Sequence, residues 1–145
     1  MYKHLLIATD GSELAQKAVE QGLALAKALN AKATAVTVTE NWVSLVSGDI
    51  GMSFPVEDYE RGCAESAAKV LAVVTAVAKT AGIACETVHV KDQFPADGII
   101  DICQKRGCDL IVMASHGRRG VSRLLMGSQA NTVVTHSAVP VLICR

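Results

Sequence analysis

The residues with the most chemistry in this chain stand between Met113 and Val134. There Ser115-His116-Gly117-Arg118-Arg119-Gly120 is followed by Arg123 and then by Gly127-Ser128-Gln129-Ala130. An apolar run, Leu110 to Ala114, precedes them, and a helix-like run ending near His136 follows. They therefore fall on a strand-to-helix turn. Backbone N–H groups at a helix start, with glycines nearby to let another group approach, form a cradle for phosphate oxygens. Arg118, Arg119 and Arg123 would add positive charge to such a cradle. An ordinary surface turn with solvated arginines, in which Ser128 only caps the next helix, fits the same residues. The surrounding elements must decide between the two.

A second polar cluster, Ala8-Thr9-Asp10-Gly11-Ser12, ends the first apolar run of the chain. Its carboxylate could hold ribose hydroxyls or a magnesium ion, or it could cap the helix that follows. His116 has no carboxylate or serine at a recognisable catalytic spacing, so a backbone-orienting or surface role is the expectation for it. His4, His89 and His136 are dispersed and suggest no metal cluster. Five cysteines, Cys63, Cys85, Cys103, Cys108 and Cys144, include no Cys-x-x-Cys pair. They read as small core residues in a reducing cytoplasm, not as a disulfide frame or zinc site.

The elements that must position these groups follow from periodicity. Apolar runs at His4–Thr9, Lys32–Thr39, Ile83–Val90, Leu110–Ala114 and Val141–Cys144 read as strands. Between them, helical spacing runs from Glu13 to Leu29, from Pro55 to Gly82, from Phe94 to Gly107 and from Gln129 to His136. In the second of these, Val56, Tyr59, Cys63, Ala67, Val70, Leu71, Val74, Ala78 and Ala81 would share one apolar face. Residues 40–54 make a longer connection than such units usually carry. Strict alternation of strand and helix implies parallel strands joined by right-handed crossovers, with helices on both faces of an open sheet. In that architecture ligands bind beyond the carboxyl ends of the strands, where strand order reverses. If the first and fourth strands are neighbours, Asp10, Val38 and the glycine stretch converge.

Composition limits what the site could serve. With 145 residues, one domain is expected, and with 50% hydrophobic but only 3% aromatic residues its core must be built from Ala, Val, Leu and Ile. Fourteen basic and fourteen acidic side chains cancel. This removes the broad positive footprint of a nucleic-acid-binding protein and leaves room for a small anion. No run approaches membrane length, the opening residues do not read as a signal peptide, and a cytoplasmic location is expected.

With these residues in view, the chain resembles the universal stress protein family, in its nucleotide-binding subclass, over all 145 residues. The most specific element is the pattern Gly-x-x-Gly, nine residues, then Gly followed by Ser or Thr. Here Gly117 is the second glycine, Arg118 to Met126 are the nine residues, and Gly127-Ser128 is the final pair; Ala114 stands where the first glycine would be. A positive φ at Ala114 would cost about 1–2 kcal/mol, whereas strand conformation would cost only the room for a methyl group. The resemblance implies an open five-stranded parallel sheet of Rossmann-like, adenine-nucleotide alpha-hydrolase-like type, with strand order 3-2-1-4-5. It implies an ATP site on the equivalents of Asp10, Val38, Met113, Gly117, Gly127 and Ser128. Ala8, Thr9, Ala114, His116, Arg118, Arg119, Gln129 and Ala130 complete the expected nucleotide-binding set, with magnesium held through the nucleotide and Asp10.

Three functional classes fit. The expected one is an ATP-binding regulatory or stress-response protein. A slow ATPase or autophosphorylating protein is the enzymatic alternative, although the chain lacks the lysine of a Walker motif and a base to position water. The third is a nucleotide-free dimeric interaction module. A phosphoacceptor receiver domain shares the sheet and an acidic first turn, but this chain has no matching lysine after the fifth strand. Homodimerisation is expected through the apolar strand Val141 to Cys144.

Overall fold

The computed structural model describes residues 1–41, 55–117 and 126–145. Arg118, Arg119, Arg123 and all but the first two residues of the 40–54 connection lie outside the described residues. Among the described residues nine elements alternate: β1 (His4–Ala8), α1 (Glu13–Leu29), β2 (Lys32–Thr39), α2 (Val56–Ala81), β3 (Cys85–Lys91), α3 (Pro95–Arg106), β4 (Leu110–Ala114), α4 (Ser128–His136) and β5 (Val141–Cys144). The five strands form one sheet in the order β3-β2-β1-β4-β5, and every neighbouring pair is parallel. Strand order turns at β1: the chain builds outward through β2 and β3, then crosses back to place β4 on its other side.

Alternation along the central strands supplies two apolar layers, because successive side chains point to opposite faces. Leu5, Ile7, Leu110 and Val112 face the side on which Val19 and Leu23 of α1 and Val74 of α2 pack. Leu6, Ala8, Ile111 and Met113 face the other side, against Ile99 and Ile102 of α3 and Val133 of α4. The strands read as continuous apolar runs because both faces are covered.

Helix termini follow local chemistry. Ser12 caps α1 with its hydroxyl, which accepts from the Ala15 amide at 3.2 Å. Helices α1, α2 and α3 end alike, with Asn30, Gly82 and Gly107 in the left-handed region. In each, the next amide reaches back five residues: Ala31 to Ala26, Ile83 to Ala78, and Cys108 to Cys103. The cap explains why β3 begins at Cys85, later than the apolar run from Ile83 suggests.

Helix α2 departs from expectation in burial. Of its nine expected apolar-face residues only Ala67, Val74 and Ala78 are fully buried, and Val56 is exposed. It lies over β2 and the edge strand β3, which is itself half open, so little sheet is available to cover it. At the amino ends of the strands, Asp109 accepts from the backbone amides of Lys3 and His4 at 2.8 and 3.0 Å. Burial pushes its carboxyl upward, but these hydrogen bonds outweigh it and hold the group below the usual aspartate value. Among the described residues, no helix is long and apolar enough to cross a membrane.

Candidate functional site

At the carboxyl ends of β1, β2 and β4 the elements leave a cleft of about 350 Å³. It brings together every expected site residue that the structure describes: Ala8, Thr9, Asp10, Val38, Met113, Ala114, His116, Gly117, Gly127, Ser128, Gln129 and Ala130. Ala15, Val36, Glu40, Pro95, Ile99 and Ser115 also line it. Sequence reasoning passed over these six. The helical ones belong to the first turns of α1 and α3, whose approach to the strand ends is set by packing and has no motif.

The floor and the mouth differ in character. Ala8, Val36, Val38, Ile99 and Met113 offer an apolar slot between the sheet and α3. Polar groups stand around it: Thr9, Asp10, Glu40, Ser115, His116 and Ser128. Asp10 Oδ1 accepts from the Ser12 amide at 2.9 Å. Asp10 thus shapes the turn before α1, but Ser12 and not Asp10 is the helix cap. Its other oxygen faces Gly117, where an added Cβ would lie 2.6 Å from Oδ2. Only a glycine lets the β4 loop come this close to the carboxylate.

The start of α4 is the most distinctive part. Gly127, in extended conformation with φ −61°, is its N-cap and makes no side-chain cap hydrogen bond, while Ser128 is already the first helical residue. The alternative in which Ser128 only caps this helix is therefore excluded. The Asn131 amide donates to the Gly127 carbonyl at 2.9 Å and begins the helical pattern. The amides of residues 128–130 precede it and border the cleft, as the first-turn N–H groups of any helix must be answered from outside.

Gly127 has a second reason to be glycine. Its amide donates to Ser115 O at 2.8 Å, and an added Cβ would meet that same oxygen at 3.1 Å. A side chain at this position would press on the β4 loop before it reached any ligand in the cleft. Ser115 is itself buried, and its hydroxyl shares a 2.9 Å hydrogen bond with Nδ1 of His116. This contact leaves the expectation for His116 as it was, since it matches no catalytic spacing. The two are chain neighbours at a strand end, a spacing that no sequence motif for catalysis describes. The bond fixes the imidazole over Gly127, in keeping with an orienting role.

Gln129 lines the cleft, but its side-chain oxygen accepts from the Ala96 amide at 2.9 Å and so ties α4 to the first turn of α3. Ala114 belongs to β4, pairs with Cys144 and is buried. Among the described residues, positive φ outside glycine occurs at Asn30 and Asp92. Ala114 therefore carries no left-handed strain, and its departure from the glycine pattern costs only the volume of one methyl group. Among the described residues, no cluster of three metal-ligating side chains occurs.

The sequence pattern of the Universal stress protein family matches residues 1–145. The chain belongs to this family. A universal stress protein of Methanocaldococcus jannaschii is 30% identical over 149 residues, which span 100% of this chain and 83% of that protein. In structure, the chain is similar to the universal stress protein UspA from Lactobacillus plantarum, with a TM-score of 0.84 at 23% identity, covering 99% of this chain and 98% of that one. It is also similar to a universal stress protein solved in complex with cAMP, with a TM-score of 0.70 at 26% identity and coverage of 99% and 97%. Within this universal stress protein fold, the cleft stands at the turning point of strand order, where parallel sheets receive ligands.

Proposed function

We propose that this universal stress protein binds an adenine nucleotide, ATP with magnesium, in the cleft at the ends of β1, β2 and β4, and acts as a nucleotide-dependent regulatory protein of the cytoplasm. The observation that carries this reading is the first turn of α4, which starts at Gly127 without a side-chain cap and opens on the same cleft as Asp10 and the apolar slot. A helix start with unanswered amides attracts phosphate oxygens, and its dipole adds roughly half a positive charge. The slot between Val36, Val38, Ile99 and Met113 suits a flat base, and Thr9 with Asp10 suits ribose hydroxyls. Gly117, Gly127, Ser128, Gln129 and Ala130 then border the phosphates, with His116 orienting the loop. Arg118 and Arg119 follow Gly117 directly in sequence and are proposed to meet the terminal phosphate. Two carboxylates, Asp10 and Glu40, at an anion site favour a nucleotide that arrives with its cation. The cAMP complex of a relative with the same fold supports the adenine assignment.

Among the described residues Ser115 and His116 engage each other, and hydrolysis would need a base that holds a nucleophilic water against the phosphate. ATP with magnesium is expected to raise the melting temperature, with phosphate release far below the range of about 1–1,000 per second typical of enzymes. Thermal melting and a phosphate assay on the same purified sample check both. Sustained turnover within that range would replace this reading by an enzymatic one, and an unchanged melting temperature would favour the nucleotide-free module.

We further propose that the protein is a homodimer through Val141 to Cys144. Strand β5 lies at the sheet edge, with Leu142 39% exposed, and an apolar edge of this kind is usually paired or blunted. The same strand of a second copy, antiparallel across a two-fold axis, closes it.

A further inference from the structure

On the face of the molecule formed by α3 and the start of β5, away from the nucleotide cleft, Cys103 and Cys108 stand side by side. Their meeting follows from the helix terminus. When a helix ends with the next amide reaching back five residues, the side chains at the two ends of that hydrogen bond are brought into contact. In α1 and α2 the two residues so joined are Ala26 with Ala31 and Ala78 with Ile83, apolar pairs that serve the cap fully. In α3 the same bond, Cys108 N to Cys103 O at 3.0 Å, joins two thiols. The Cys103 thiol donates to the Cys108 carbonyl at 3.6 Å, so the two side chains meet across the cap. They line a second cleft, of about 290 Å³, with Ile100, Gln104, Ser137 and Val139.

We propose that Cys103 and Cys108 are a redox-active dithiol that a small hydroperoxide converts to an intramolecular disulfide. The Cys103 thiolate attacks a peroxide oxygen, the O–O bond breaks, and the leaving alkoxide or hydroxide takes up a proton. This leaves a sulfenic acid on Cys103. The Cys108 sulfur then attacks the Cys103 sulfur; the S–O bond breaks and its oxygen leaves as water with the Cys108 proton. Two thiols have lost two electrons and two hydrogens, and the hydroperoxide is reduced to an alcohol, or to water, with one further water released. The cap already ties the two residues together, with Cys108 N donating to Cys103 O at 3.0 Å and the Cys103 sulfur 3.6 Å from Cys108 O. Cys103 is the attacking group because the hydrogen bond from Cys108 lowers its pKa below the ordinary thiol value, against burial and the charge of Asp109. The same contact, with burial, pushes Cys108 up and keeps its proton in place. Both residues are buried, 3% and 5% exposed, so the second cleft is the route of entry and selects a small oxidant.

Lys105 and Arg106 lie between the two cysteines, which makes the bond directly readable. The full-length protein is treated with hydrogen peroxide, denatured with alkylating reagent but no reductant, and digested with trypsin. The expected product is the peptide ending at Lys105 joined to the peptide beginning at Gly107, separated by reductant, with Cys63, Cys85 and Cys144 alkylated. Recovery of Cys103 and Cys108 as alkylated, unlinked peptides, or linkage of either to another cysteine, would overturn the proposal. In Cys108→Ser, a sulfenic acid trapped at Cys103 by dimedone is expected. Trapping at Cys103 in neither the variant nor the wild type would remove it as the attacking thiol. Should the variant not fold, the wild-type cross-link still decides.

Discussion

At Ala114 one methyl group separates this chain from the full glycine pattern of its relatives. The methyl lies on a paired strand at the rim of the cleft, so it takes up space without straining the backbone. Gly117 is the opposite case. Gly117→Ala would set a Cβ 2.6 Å from Asp10 Oδ2, closer than atoms sit, and Asp10 would have to turn away from its place in the cleft. We expect a loss of ATP affinity of fivefold or more, which corresponds to about 1 kcal/mol. Gly62→Ala, on α2 with nothing within 4 Å, is the control: it is expected to stabilise by about 0.5–1 kcal/mol and to leave ATP affinity unchanged. Calorimetric titration of both variants checks the pair, and equal affinity in the two would detach Asp10 and Gly117 from the nucleotide. That Asp10, Gly117 and Gly127 border one cleft was legible because Asp10 and Gly117 follow strand ends and Gly127 opens the last helix. Ser115 was not, because its importance lies in a backbone carbonyl that accepts from Gly127 and in a hydroxyl turned toward its own neighbour.

At the scale of elements, α3 is held against the sheet by Gly98. An added Cβ there would meet Val38 at 2.8 Å and Val90 at 3.3 Å, so a larger residue must lift the helix or push Val38 into the apolar slot. Gly98→Ala is therefore expected to cost about 1–3 kcal/mol of stability through overpacking and to weaken nucleotide binding in the same variant. Denaturant unfolding with a parallel ATP titration measures the two effects; loss of stability with full affinity would show that the helix, not Val38, had moved. The alternation of strands and helices could be read from periodicity because parallel strands buried on both faces are continuous apolar runs. Strand order could not, since nothing in the period of β4 says whether it pairs with β1 or β3; family resemblance supplied it. The open face of α2 escaped for a similar reason. Its apolar spacing is helical throughout, and the position of β3 at the sheet edge leaves much of that face only partly covered.

For the whole molecule, assembly and ligand binding give separate tests. The amides of Ile111 and Ser115 donate to the carbonyls of Pro140 and Cys144. Because peptide groups alternate in direction along a strand, those of Val141 and Ile143 point to the outer edge. Ile143→Pro thus removes an outward N–H and leaves the β4 ladder in place. Light scattering is expected to give the mass of two chains for the wild type and of one chain, or of aggregate, for the variant; a single-chain mass for the wild type at micromolar concentration would remove the dimer. The nucleotide site is tested most directly by calorimetric titration of the nucleotide-free protein with ATP and magnesium. Saturable binding of one ATP per chain, weakened in Asp10→Ala, is the predicted result. The absence of binding heat at several temperatures, with ATP at millimolar concentration and magnesium in excess, would contradict it.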